Sequence, residues 1–338
     1  MNAAIYYGPG DIRVQDVSKP RLEPDGILVK VKACGICGSD MHPYRVGGLI
    51  RPGTIMGHEF SGDVVEVGAN VQDIKEGDRV TAAGYLPCGE CYWCQRKQYY
   101  RCFKMQLLGY EFPGAFAEYV SVPLALLNMT VFMLPDEVTY KEGATVEPLS
   151  VGAHAVRMAE PSATDTVVIL GAGMIGQCAM QVFKAMGAAK VIVCEIGKKR
   201  LEVAKATGAD VVINAAEEDP IDGVREATSG MWADIVAECA GAPATFHQAI
   251  AMVRGGGKIA LVGMCEEPIK WNPAAIIRKN VRMIGCLGGS FPRAIDFLKS
   301  RKVDTKPLVT HEFPLDRARE AFETQLKVDE AVKVLVKP

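Results

Sequence analysis

The spacing of apolar residues changes near residue 153 of this 338-residue chain. Before that point they come in short runs between Gly and Pro, such as 27–32 (ILVKVK) and 62–68 (GDVVEVG), rich in β-branched side chains. Such runs predict short strands. Residues 1–7 read as the first of them, and 75–80 (KEGDRV) as a turn entering another. The most apolar run, 122–135 (VPLALLNMTVFMLP), is interrupted by turn-formers and too short to cross a membrane. It reads as a buried or interface strand. After 153, strand-like and helix-like runs alternate: a strand at 167–170, a helix over 174–186, a strand at 191–194, a helix through Leu201, then strands at 209–214, 234–238 and 258–263. That alternation predicts a parallel sheet with right-handed crossovers. A helix over 292–300 and a strand over 331–336 end the chain and could complete either half. The expected class is α/β, a β-rich first domain followed by a doubly wound sheet.

Composition narrows the field. The length suffices for two domains with a core each. A net charge of −2 offers no basic field to a nucleic acid, and no segment suits a membrane partner. Eleven cysteines raise the question of disulfides. No secretory leader is expected at the N-terminus, so reduced thiols in a cytoplasmic enzyme are the better expectation, with the clustered ones binding metal. Cys178, Cys194, Cys239, Cys265 and Cys286 stand singly and are expected to be small buried hydrophobes.

Two clusters have metal-site character. Cys88, Cys91, Cys94 and Cys102 have the short gaps that let neighbouring thiolates face one ion, and a longer excursion that returns the fourth. Four sulfurs leave no open position, which describes a structural zinc site in a lobe of about residues 84–105. Cys37 and His58 supply a thiolate and an imidazole, with Glu59 or Glu147 as third ligand. The residue types leave that choice open. A mixed set with a free position suits zinc acting as a Lewis acid. Asp40 is expected to orient His58 through its other ring nitrogen. Cys34 and Cys37 also have zinc-pair spacing, but no matching second pair follows in that region.

The stretch VVILGAGMIG places Gly171, Gly173, Met174, Ile175 and Gly176 after an apolar run and before a helix. Gly171 allows the turn, Gly173 lets a pyrophosphate approach the backbone, and Gly176 allows close helix–strand packing. The pyrophosphate would meet the helix N-terminus. Glu195, 19 residues beyond Gly176, ends the next strand and would accept hydrogen bonds from a ribose diol while repelling a 2′-phosphate. NAD is therefore expected over NADP, although Lys198, Lys199 and Arg200 follow and could hold a phosphate.

Taken in order, the residues around Cys37 to Asp40, those around His58 to Gly62, the four-cysteine lobe, the stretch from Glu147 to Gly152, the glycine fingerprint and the tail from His311 to Phe322 resemble the zinc-dependent medium-chain dehydrogenases. The resemblance covers essentially the whole chain. Within the family it is similar to the polyol branch, which includes sorbitol, butanediol and sugar-alcohol-phosphate dehydrogenases. It implies a GroES-like β-barrel catalytic domain over 1–152, a Rossmann domain over 153–288 and a return to the catalytic domain over 289–338. The active site would lie in the cleft between them. It implies that Cys37 and His58 bind catalytic zinc, that Glu59 is a ligand in sorbitol-dehydrogenase-like members, and that Glu147 occupies a position held by a third ligand or by an acid near it. It implies that Ser39 takes the substrate proton and that His42 is the outer end of the relay, reached by way of the cofactor ribose. The implied reaction is hydride transfer from a secondary alcohol to NAD, in a homo-oligomer, a tetramer or a dimer.

Some features depart from the branch. The stretch 285–293 reads as a short version of a loop that usually carries an arginine–aromatic pair, and Arg293 reads as a solvated or salt-bridged residue at a helix start. Arg45 and Arg51 read as surface charge rather than an anion site, and Tyr110 and Phe112 as either pocket lining or packing under the zinc lobe. Two alternatives stand beside the polyol reading. One is amino-alcohol oxidation, as in threonine dehydrogenase. The other is a non-catalytic relative that binds cofactor and metal, which the intact Cys37, His58 and Glu59 disfavour.

Overall fold

The computed structural model describes residues 1–48 and 50–338. Strand Ile27–Gly35 is the axis of the first half and is buried along nearly its whole length. It earns that burial by position, since Glu59–Val67, Tyr119–Val122 and the last strand, Lys333–Lys337, all pair with it. The seven-stranded sheet runs from Val131–Met133 through Arg79–Ala82, Glu59–Val67, Ile27–Gly35 and Lys333–Lys337 to Val309–Pro314. The chain's last strand thus completes the sheet that its first 35 residues begin, with Leu335 opposite Gly35 and Val336 opposite Cys34. A separate three-stranded sheet joins Asp11–Asp16, Asn2–Gly8 and Thr54–Ile55.

The single strand expected over 122–135 does not form. Its ends belong to two strands, Tyr119–Val122 and Val131–Met133, and the middle is a turn. Pro123 has no N–H for a ladder. Asn128 takes a left-handed φ of 61°. The Thr130 hydroxyl donates to the Leu124 carbonyl at 2.5 Å and accepts from the Leu126 N–H at 2.9 Å, tying the turn together.

The second half is a six-stranded, all-parallel sheet in the order Val211–Asn214, Lys190–Glu195, Thr166–Leu170, Ala233–Glu238, Val253–Leu261, Arg282–Gly285. Alternate residues serve opposite faces. Val167 and Ile169 join a core with Leu149, Val156, Cys178, Val182 and Leu298, whereas Val168 and Leu170 join one with Val224, Ala249 and Ile250. Helices Val146–Ala159, Met174–Ala185 and Phe291–Lys299 contribute to the first core, and Pro220–Ala227 and Pro243–Met252 to the second. The last two helices and Ala274–Lys279 have no counterpart in the apolar pattern. Pro220–Ala227 is nonetheless well signalled at its start, where the Asp219 side chain accepts from the Ile221 N–H at 2.9 Å and Pro220 opens the first turn. Cys178, Cys194 and Cys286 are buried as expected, but Cys239 and Cys265 are only half-buried. No helix among the described residues is long and apolar enough to cross a membrane.

Candidate active site and cofactor cleft

Cys37 caps helix Gly38–Val46, and its N–H donates to Asp40 Oδ2 at 2.9 Å, which fixes the thiol at the start of the helix. His58 and Glu59 arrive on the opening of the neighbouring strand, Glu59–Val67. Gly57, with φ +94°, makes that approach: a Cβ there would lie 2.9 Å from Cys34 Sγ and from the Phe116 ring. One ligand atom each from Cys37, His58 and Glu59 fall within 4.8 Å of one another. Glu147 is outside that set. It stands in the first turn of Val146–Ala159, and burial, with the nearby Glu59 charge, pushes its carboxyl up to about 7.

The structure's own donor set tests the fit to zinc. It offers a thiol, an imidazole and a carboxylate converging on one point, the mixture that suits zinc better than a hard cation. Burial pulls the His58 pKa down, but Asp40 and Cys37 outweigh it and the net shift is well upward. His58 Nδ1 and Asp40 Oδ1 are buried, have no hydrogen-bond partner among the described residues and face each other at 3.8 Å. Asp40 is thus aimed at the ring nitrogen but does not bond to it. Two polar atoms buried this way are costly; with a metal held by the other ring nitrogen, Nδ1 would carry the proton and Asp40 would stand as its acceptor.

One participant escaped the sequence reading. Lys333, on the last strand, is almost fully buried and donates to Glu59 Oε2 at 2.5 Å and to the Ile36 carbonyl at 2.7 Å. It ties the acid and the backbone next to Cys37 to the far end of the chain. Ser39 and His42 lie three apart on helix Gly38–Val46 and are both exposed, whereas Asp40, Met41 and Tyr44 face inward. Tyr110 is half-buried, with its hydroxyl donating to the Ser39 carbonyl at 3.1 Å, and burial pushes it up to about 12. Arg45 and Arg51 are exposed, and Arg293 is half-buried at the start of helix Phe291–Lys299.

In the lobe, the sulfurs of Cys88, Cys91, Cys94 and Cys102 are 3.4–3.9 Å apart over four of their pairs. Four thiolates about 2.3 Å from a central zinc stand about 3.8 Å from one another, and a disulfide needs about 2.0 Å. The cluster therefore has the dimensions of a zinc site and not of two bridges. Backbone N–H groups of Cys94 and Phe103 hold the Cys91 thiol down at about 6, which favours the thiolate.

The glycine turn lies where the order of the parallel sheet reverses, beside Ala240 of the neighbouring strand's exit. Gly171 has φ +89°, and a Cβ on Gly176 would stand 1.9 Å from the Gly171 carbonyl oxygen. A Cβ on Gly173 would meet nothing nearer than Arg200 Nη1 at 4.0 Å. The space over Gly173, at the N-terminus of Met174–Ala185, is the cradle a pyrophosphate needs. Met174 is buried and Ile175 half-buried behind it. Glu195 is buried and accepts from the N–H groups of Ala172 (2.6 Å), Ile196 (2.8 Å) and Gly197 (3.0 Å). Arg200 Nη1 is 3.8 Å from that carboxylate, and its Nε donates to the Ala331 carbonyl at 3.1 Å. Lys198 and Lys199 pair with Glu217 and Glu202, leaving Arg200 as the member of the trio beside Glu195. Two further residues of the cleft carry no signal in sequence: Gln177, which donates to the Arg200 carbonyl at 2.8 Å, and Glu238, whose buried carboxylate accepts from the N–H groups of Ala240 and Gly241.

With this geometry in place, comparison with known proteins gives it a family. Residues 23–135 match the alcohol dehydrogenase GroES-like domain and 175–300 the zinc-binding dehydrogenase domain. The chain is 36% identical to the sorbitol dehydrogenase of Bacillus subtilis over 347 residues, covering 100% of this chain and 97% of that one. This chain belongs to the zinc-dependent medium-chain alcohol dehydrogenases, in their polyol dehydrogenase branch. Among solved structures, 2R,3R-butanediol dehydrogenase from Bacillus subtilis is 33% identical with a TM-score of 0.88, covering 100% of this chain and 99% of that one. Galactitol-1-phosphate dehydrogenase from Escherichia coli is 30% identical with a TM-score of 0.91, covering 100% of each. As a zinc alcohol dehydrogenase, the protein is an oxidoreductase acting on CH–OH groups with a nicotinamide cofactor.

Proposed function

We propose that this dehydrogenase oxidises a secondary alcohol of a polyol, diol or polyol phosphate to the ketone, with NAD as acceptor. The observation that carries the reading is the convergence of Cys37, His58 and Glu59 within 4.8 Å at the start of the helix that bears exposed Ser39. The sorbitol, butanediol and galactitol-1-phosphate dehydrogenases among its relatives support the substrate class.

Cys37, His58 and Glu59 would hold the catalytic zinc, with Glu147 the further acid beside it because its carboxylate stands outside the set. Zinc bound there supplies a Lewis acid that makes an alcohol hydroxyl acidic near neutral pH. Cys88, Cys91, Cys94 and Cys102 would hold a second, structural zinc. Ser39 accepts the substrate's hydroxyl proton and His42, exposed one turn on, delivers it to solvent. Gly173 and the helix behind it receive a pyrophosphate. Glu195 accepts ribose hydroxyls and disfavours a further phosphate, with Arg200 at the ribose edge, so NAD is preferred to NADP. Domain limits of 1–152, 153–288 and 289–338, a cytoplasmic location and a dimeric or tetrameric assembly belong to the same reading.

The test is cofactor reduction followed optically across polyols, polyol phosphates and simple diols, with NAD and with NADP, before and after chelation. Turnover of one class with NAD, lost with the metal, is the expected result. Protein that holds zinc and binds NAD yet turns over none of the panel would overturn the substrate assignment.

A further inference from the structure

We propose that Glu266 is a positioning residue for His42: a carboxylate supplied by the cofactor-binding half to the proton path of the other half. The proposal rests on the reading of His42 as the outer end of that path. His42 Nε2 is 3.4 Å from Glu266 Oε2, an ion-pair distance slightly beyond a good hydrogen bond. The two residues are 224 apart in sequence and come from different sheets' surroundings. His42 is on helix Gly38–Val46, and Glu266 is on the segment that leaves strand Val253–Leu261 at the cofactor edge of the parallel sheet.

That segment starts from a firm base. The Val262 and Gly263 N–H groups both donate to the Glu238 carbonyl at 2.9 Å. A Cβ on Gly241 would lie 2.6 Å from the Met264 carbonyl oxygen, so the two cleft loops pack backbone to backbone. Beyond this base Glu266 and Glu267 are exposed, and only Glu266 turns its carboxylate to His42.

The chemistry gives the pair a task. Oxidation of a secondary alcohol to a ketone removes a hydride and a proton, and the proton must reach water. When His42 takes up that proton on one ring nitrogen, the other, already an N–H donor in the neutral ring, comes to carry part of the positive charge. A carboxylate opposite that nitrogen holds the ring in one orientation and stabilises the imidazolium, the part an acid plays beside any general-base histidine. Proton and charge then leave to solvent, and Glu266 is unchanged at the end. The side chains are 43% and 58% exposed, so water screens the pair and its effect is modest.

The test is a double-mutant cycle on the zinc-loaded enzyme, with NADH affinity measured separately by fluorescence titration. Glu266→Gln is expected to lower kcat by about two- to fivefold while leaving the alcohol KM and the NADH Kd unchanged. Glu267→Gln is expected to change neither. His42→Gln is expected to lower kcat further, and adding Glu266→Gln to it is expected to cost nothing more, because the carboxylate acts through the imidazole. Full additivity in the double variant, an equal loss in Glu267→Gln, or a change in NADH Kd without one in kcat would each overturn the proposal, the last in favour of a simple cleft latch. If His42→Gln itself turns over normally, it is the underlying reading of His42 that fails; normal turnover in Glu266→Gln alone removes only the present inference.

Discussion

Lys333 brings a positive charge into a site where almost no water reaches either it or its partner, Glu59. A buried pair of this kind is poor evidence of stability in itself, since desolvation consumes much of the attraction. Removing one partner is another matter, because the remaining charge is left buried and alone. Lys333→Met should therefore destabilise the metal-free protein by about 3–5 kcal/mol, read by denaturant unfolding. Replacing Glu59 as well, in Lys333→Met/Glu59→Leu, should recover much of the loss. A single variant as stable as the parent would mean that Glu59 reaches water or is neutral in the metal-free state. The pair also explains why a sequence shows Cys37, His58 and Glu59 but not Lys333. The first three carry recognisable ligand chemistry, and two of them are adjacent. A lysine 274 positions beyond Glu59, in an ordinary strand pattern, becomes part of the site only when Lys333–Lys337 pairs with Ile27–Gly35. Glu266 is invisible for the same reason: the resemblance points to His42, but nothing in sequence places a carboxylate 224 positions later beside it.

Between residue and molecule, the elements that could be read from sequence are those whose own chemistry marks them. The strand–turn–helix of Thr166–Leu170 and Met174–Ala185 announces itself through two adjacent patterns and three glycines with separate tasks. Strand Val253–Leu261 was legible only from residue 258, since Gly255, Gly256 and Gly257 erase the apolar signal in its first half. The turn-formers within 122–135 are visible in sequence, but that they split the run into two strands is not, because it takes the Thr130 hydroxyl bonds and the left-handed Asn128 to outweigh the apolar neighbours. Helix Tyr140–Gly143, only four residues long, illustrates how such a short element is held. Its Glu142 is 1% exposed and accepts from the Thr139 N–H at 3.0 Å, the Thr139 hydroxyl at 2.7 Å and Arg301 Nη1 at 2.5 Å. Burial raises its pKa, but the Thr139 and Arg301 donors prevail and the net shift is downward from 4.5. A carboxyl with a depressed folded pKa gives stability that is complete above its unfolded pKa and lost as pH falls through the folded one. The stability difference between the parent and Glu142→Gln should thus be full at neutral pH and shrink as pH drops below about 4.5. Urea unfolding at several pH values measures it, and a difference constant across that range would remove Glu142 from the acid response.

At the scale of the whole molecule, the two metal clusters should behave differently, because one rests on a core and the other does not. Beneath Cys37, strands and the chain's last segment provide a buried core. Between residues 89 and 107, by contrast, Cys94 alone is buried, while Tyr92, Tyr100 and Phe103 are 52%, 40% and 73% exposed. A lobe with so little apolar burial cannot offset the entropy of ordering its own chain, so its fold must come from the four thiolates and their ion. Two zinc equivalents per chain are expected by elemental analysis. A mild chelator should take the open site's ion first, with turnover, and leave thermal unfolding little changed. Cys94→Ser should lose the other equivalent and open the lobe locally. It should also loosen the cleft, since Tyr100 lies against Gly288, where a Cβ would be 3.6 Å from the tyrosine, and Gly289 packs on Ser150 at the base of the Glu147 helix. Limited proteolysis should then cut Cys94→Ser within residues 89–107 while the parallel-sheet half stays intact. Zinc-free lobes that resist protease as well as loaded ones would show that the chain holds this shape without its metal.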